Sequence, residues 1–270
     1  MKFTRRLALF GSMAALAVSV IAPAGDAWAD PSASDIMAKW ADSRKLDGSE
    51  AVVKMSIIKG ANKREYELSM ATKMFDGGKT EKRIYRFLAP SDVKGTGILV
   101  YDYESKADDV WVYTAALRKT RRVVSSQRSK SFMGSEFSYA DLNIPQLSDY
   151  SYKTLKSESI KGADCWLIEM LPKSSSTAKE EGYSKKHFWV QKSNYAVRQG
   201  VFFDLSGKRH KKLIADDVKL VDAGKKKYRT MRMEMINEQN GRRSIFETKK
   251  VSNAPNTKNE FFSTSYLERP

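Results

Sequence analysis

The chain has one cysteine, two histidines and, beyond residue 21, no apolar run that approaches the length of a membrane span. A lone Cys165 excludes an intramolecular disulfide. Residues 30–270 must therefore be held by packing alone, and a chain of this length can bury a core. Between Asp164 and Trp166, on a strand-like stretch, Cys165 reads as a buried, inert thiol. His187 and His210 stand far apart, and HExxH, CxxC and aspartate-rich calcium loops are absent, so no metal site is expected. A nucleophile elbow and a phosphate-binding P-loop are also missing. Paired acids such as Asp108-Asp109 and Asp216-Asp217 read as exposed strand ends.

The first residues point to export. Lys2, Arg5 and Arg6 precede an apolar run from Leu7 to Ile21, and Ala27-Trp28-Ala29 places small residues where a signal peptidase reads. Residues 1–29 are thus expected to be a cleaved signal peptide, with Thr4-Arg5-Arg6 leaving a twin-arginine route open. The cleavage site carries no cysteine, so no lipid anchor is expected. The formal net charge is +16, of which the first 29 residues contribute little, with three basic residues against Asp26. For an exported chain this charge suits anionic lipid headgroups, acidic glycans or an acidic protein surface rather than nucleic acid; solubility alone is the alternative.

Period-two alternation runs through most of residues 50–251. Val53, Met55 and Ile57 alternate with polar neighbours, as do Tyr66, Leu68 and Met70. Arg83, Tyr85 and Phe87 interleave with Ile84, Arg86 and Leu88. Similar runs recur to Val251, punctuated by Asp76-Gly77-Gly78, Ser206-Gly207-Lys208 and Asn240-Gly241. About a dozen antiparallel strands in one sheet tend to curl. Three short helices are expected as covers for the concave face. One spans Ser34 to Arg44, with Ser34 as cap; one lies within "SFMGSEFSYADL" (Ser131 to Leu142), opened by Gly134-Ser135; one is in "NEFFSTSYLERP" at the end. Lys173 to Ser184 is polar and reads as a mobile loop or hairpin tip. Residues 30–270 form one domain in this reading.

Three blocks carry a resemblance: "RFLAPSDVKGTGILVYDY" (Arg86 to Tyr103), "DDVWVYTAALRKTRRV" (Asp108 to Val123) and "SFMGSEFSYADL". In order and spacing the chain resembles the LolA-like outer-membrane lipoprotein-sorting family. The resemblance implies a mainly β fold: a strongly curved antiparallel sheet, an incomplete β-barrel of the LolA/LolB type, with short helices forming a lid. It implies a monomeric periplasmic carrier that takes lipid or acylated lipoprotein cargo, needs no cofactor and is not an enzyme. An RND-type inner-membrane transporter and an outer-membrane acceptor are the implied partners. The alternative is an adaptor of such a transporter that carries no cargo.

From the dry faces, the expected cavity lining is Val53, Met55, Ile57, Tyr66, Leu68, Met70, Trp111, Tyr113, Trp189 and Phe203. The expected lid residues are Met37, Trp40, Phe132, Met133, Phe137, Tyr139 and Leu142. For each, an ordinary core contact is the competing reading. Arg118, Arg121, Arg122 and Arg128, with Lys119 and Lys130, could receive headgroup phosphates or a partner, or simply solvate a strand edge.

Overall fold

The computed structural model describes residues 30–269; the signal-peptide and twin-arginine readings fall outside them. Thirteen strands form one antiparallel sheet that is curved and not closed into a barrel. The first six run β1 (Gly48–Lys59), β2 (Asn62–Phe75), β3 (Thr80–Ala89), β4 (Gly97–Tyr103), β5 (Asp109–Thr114) and β6 (Lys119–Arg122). The remaining seven are β7 (Tyr150–Ile160), β8 (Ala163–Pro172), β9 (Lys185–Gln191), β10 (Val197–Phe203), β11 (Arg209–Asp222), β12 (Lys227–Asn237) and β13 (Arg243–Asn253). Each set is a meander, and pairing of β1 with β13 joins them. The two edges of the sheet are therefore β6 and β7, which follow one another in sequence. Residues 123–149 must cross from one edge to the other. Topology, rather than helix propensity, puts the apolar segment over the concave face.

That segment is not the expected helix. Ser131 bridges to Ser138 in antiparallel fashion, Met133 and Gly134 turn the chain at positive φ, and only Ala140–Leu142 forms a short 3-10 turn. Local side chains compete with a helical ladder. Ser131 Oγ donates to the Ser135 carbonyl, and Ser138 and Asp141 cap one another's backbone N–H groups.

The first helix, α1 (Ala33–Arg44), is present, but Ser32 rather than Ser34 is its cap, accepting from the Asp35 N–H at 3.1 Å. Lys173 to Ser184 is not a mobile loop. It contains α2 (Ser175–Glu181), capped by Ser174 and closed at the left-handed Gly182. The terminal helix, α3 (Thr264–Leu267), follows a 3-10 turn at Asn259–Phe262. Its Leu267, with Phe262, packs on Ile84, Leu99 and Tyr113. Those residues alternate with the concave-facing Phe87, Ile98, Val100 and Val112, so the C-terminal segment covers the convex face, not the concave one. The approach is close: a Cβ on Gly97 would lie 2.7 Å from Leu267 Cδ1.

The concave side holds two packed clusters. Met55, Tyr66, Leu68, Phe87, Ile98 and Val112 gather under Phe132 and Tyr139. Ile36, Met37 and Trp40 of α1 pack with Trp166, Ile168, Met170, Phe188, Phe202 and Phe137. Phe246 of β13 touches both. Among the described residues no helix is long and apolar enough to cross a membrane.

Candidate functional site

Between the sheet, the C-terminal end of α1 and residues 140–145 lies a cavity of about 230 Å³. Its apolar part is built by Leu68, Met70, Phe132, Phe137, Phe188, Phe202, Leu213, Met233, Met235 and Phe246. The curled sheet makes this possible, because strands from both meanders turn one face to the same space. The other part is polar. Arg44 of α1, Glu81, Arg83 and Tyr85 of β3, Thr72 of β2 and Arg229 of β12 line it.

Of the ten residues expected to line the cavity, Val53, Leu68 and Met70 do. Met55 and Tyr66 are buried beside it in the first cluster, with Ile57 packed at the margin. Trp111 and Tyr113 are corrections: they face the convex side, against the C-terminal segment. Both faces of β4 and β5 are dry there, so alternation alone does not tell inside from outside. Trp189 and Phe203 are corrections as well. Trp189 donates to Glu158, and Phe203 packs edge-on against His187, both off the cavity.

Of the lid residues, Trp40, Phe132, Phe137 and Leu142 reach the cavity. Met37 and Tyr139 are buried in the clusters, and Met133 packs at the edge of one. Two of the points that fasten the crossing segment involve Glu136 and Arg83. At one, Glu136 is held by the Ser244 hydroxyl, by Lys211 Nζ donating to its carbonyl at 2.7 Å, and by Asn237 donating to its carboxylate at 2.9 Å. At the other, Arg83 donates to the Leu142 carbonyl at 2.9 Å and to Asn143 Oδ1 at 3.1 Å.

Arg83 anchors a buried network that sequence reasoning missed. It pairs with Asp102 at 2.5 Å, while Asn143 donates to Asp108 and Arg128 pairs with Asp108 at 3.2 Å. Asp108 is thus no exposed strand end. Arg128 leaves the proposed headgroup cluster for this network. Arg118, Arg121 and Arg122 lie exposed on or next to the β6 edge, where Arg122 pairs with Asp109. The signal for Arg83 was available: it shares a strand face with Tyr85 and Phe87.

Burial pushes the Asp102 carboxyl up from 3.8 to about 6; Arg83 pulls it down and nearby Asp108 adds to the rise. The folded chain keeps a proton here that the unfolded chain has released. Stability from this group is full below about pH 4 and declines as pH rises to about 6. Carboxyl 13C resonances should place the Asp102 midpoint near 6, and Asp102→Asn should remove that decline. A midpoint near 4 would contradict the burial.

No histidine or cysteine lines the cavity. Of its charged groups, Glu81 and Arg83 lie within ion-pair distance of one another, so the wall joins an apolar part to a charged one.

Comparison with known proteins agrees with this architecture. A family model described as "Uncharacterized protein" matches residues 79–269, from just before β3 to the C-terminal segment. No curated protein matches the chain in sequence. The structure superposes on a DUF1329 family protein from Desulfovibrio piger with TM-score 0.80 and 26% identity, covering 87% of this chain and 97% of that one. A domain from Vibrio parahaemolyticus, proposed to be an outer membrane lipoprotein-sorting protein, gives TM-score 0.80 at 26% identity over 88% and 98%. A LolA superfamily protein from Nitrosomonas europaea gives TM-score 0.66 at 20% identity over 87% and 99%, a likeness of fold. The chain therefore belongs to the family of that model, designated DUF1329.

Proposed function

We propose that residues 30–270, exported and freed of the signal peptide, act as a single-domain periplasmic carrier that shelters a lipid acyl chain in the cavity. The observation that carries this reading is a methionine- and aromatic-lined hollow, roofed by the β6–β7 crossing and shared by both halves of the sheet. Each methylene exposed to water costs about 0.8 kcal/mol, so a chain of some fifteen carbons costs roughly 12 kcal/mol to move unprotected. Met70, Met233 and Met235 give the wall adaptable, polarizable surface. The similarity to a domain proposed for lipoprotein sorting supports the same direction. At 230 Å³ the hollow lies below the ~300–1,000 Å³ of ordinary small-molecule sites. It has room for part of one chain, and a full-length tail or a triacylated anchor would require the crossing segment to move. Exposed Arg118 and Arg121, beside Arg122 in its pair with Asp109, then face outward toward a transporter, an acceptor or a membrane surface.

The small hollow and the fastened crossing also favour a second reading, an adaptor of an exporter without cargo. Native mass spectrometry of protein purified from its own periplasm separates the two. A bound lipid at about one per chain is expected. Protein free of lipid that also fails to take up added acyl chains would leave only the adaptor.

A further inference from the structure

Arg229 of β12 has no business in the wall of an apolar cavity unless something negative meets it. Its Nε and Nη2 are shut off from solvent and have no hydrogen-bond partner among the described residues. Arg44, at the last turn of α1, lines the same end and lies over the Trp40 ring at 5.2 Å. Burial lowers the proton affinity of both guanidiniums. For Arg44 the charge of Arg229 is the next cause, and the pKa falls to about 10, so Arg44 stays charged at neutral pH, and a guanidinium such as that of Arg229 carries its charge there as a matter of ordinary chemistry. Neighbouring carboxylates are committed elsewhere: Asp102 to Arg83, Asp42 to Lys227 and Asp47 to Lys225. Glu81 is the acid that faces this end, and it stands 3.8 Å from Arg83 Nη1. Three guanidiniums thus meet two carboxylates, Glu81 and Asp102. The excess is positive and sits at one pole of a cavity whose other pole is Phe137, Phe188, Met235 and Phe246. A buried unpaired guanidinium is strongly unfavourable, and an incoming anion would supply its missing partner.

Resting on the carrier reading above, we infer that the cavity takes an anionic single-chain amphiphile, its carboxylate or phosphate on Arg229 and Arg44 and its tail against Phe137 and Phe246. Glu81 sets the orientation by repelling the head from β3 and leaving the Arg229 side open. The guanidinium fork can receive two oxygens of either head.

The test compares three amphiphiles with similar tails: palmitate, 1-palmitoyl lysophosphatidic acid and uncharged monopalmitoylglycerol. Binding is measured by calorimetry in about 0.5 M salt, where attraction to surface charge is screened. The wild type should prefer at least one anionic ligand over the neutral one by about tenfold to a hundredfold, and the better anion tells carboxylate from phosphate. Arg229→Met and Arg44→Met should each bring the ratio toward one. Arg229→Met removes an unpaired buried charge, so its melting temperature without ligand should not fall. Equal affinity of the wild type for all three ligands would overturn the head-group site and leave the carrier intact. A preference that survives both substitutions would also overturn it. Failure to bind any of the three would overturn the carrier and the site together.

Discussion

Replacing Lys186 with methionine is expected to cost about 3–5 kcal/mol of folding stability. Lys186 Nζ lies 2.5 Å from Glu181 Oε2, and both side chains are nearly closed to solvent, at 6% and 7%. Burial pushes the Glu181 carboxyl up, but Lys186 more than offsets this and holds it below the usual carboxylate value. Without the lysine, an ionised carboxylate remains in a dry site. Arg128 also acts on Glu181, but it is paired with Asp108 and cannot move over without breaking the network that holds Asn143. The sign of the pH effect follows. In the variant the folded-state carboxyl holds its proton more tightly than the unfolded chain does. The deficit should therefore shrink as pH falls below the neutral range. Urea melts at pH 7 and pH 5 read both quantities. The double substitution Glu181→Leu with Lys186→Met should regain most of the loss, because it leaves no stranded charge. If the single variant melts like the wild type at pH 7, the pair is not buried as described. Limited proteolysis should cut within α2 only in the single variant, since Glu181 and Tyr183 dock this helix.

The same pair marks a limit of sequence reading. "KSSSTAKEEGYS" has no apolar stripe, so it looked like a loop; its helix is fixed by one serine cap, one left-handed glycine and one ion pair with a residue on β9. None of these partners lies within reach of a periodicity argument. The strands were legible because alternation is a local property, and the turns at Gly207 and Gly241 fell where small residues allow positive φ. The place of "SFMGSEFSYADL" over the concave face was legible from its aromatics. Its shape was not, because serine and aspartate side chains satisfy the backbone in ways a helix template does not anticipate. The polar pole was hidden for a different reason. Arg44 and Arg229 sit on elements whose sequence gives charged residues a solvent face by default, and only the curl of the sheet brings them to one space. Trp111 and Tyr113 misled in the opposite way: apolar and alternating, they serve the convex face because the C-terminal segment folds back on it.

Truncating Phe137 to alanine should distinguish a ligand site from an ordinary core. The ring is 3% exposed, packs on Phe246 at a centroid distance of 4.7 Å and forms part of the cavity wall. Removing it costs about 3–5 kcal/mol by lost burial and cavity formation. For a domain of this size that is a fall of about 6–20 °C in melting temperature. The two roles then diverge. If Phe137 is only a core residue, the enlarged void is sealed and long-chain ligands restore nothing. If it roofs a site that accepts acyl chains, truncation deepens the hollow, and a tail that enters it replaces the missing contacts. Binding to the folded state alone stabilises by RT ln(1 + [L]/Kd), about 2.7 kcal/mol at a hundredfold excess over Kd. Excess palmitate or lysophosphatidic acid should therefore raise the melting temperature of Phe137→Ala by more than that of the wild type. Phe262→Ala, which opens a void on the convex face, should show no ligand rescue beyond that of the wild type. Rescue of both variants to the same extent, or of neither, would remove the roof from the carrier reading. Preferential rescue of Phe137→Ala ties the hydrocarbon to the space between the crossing segment and β13, where Phe132, Phe137 and Phe246 meet.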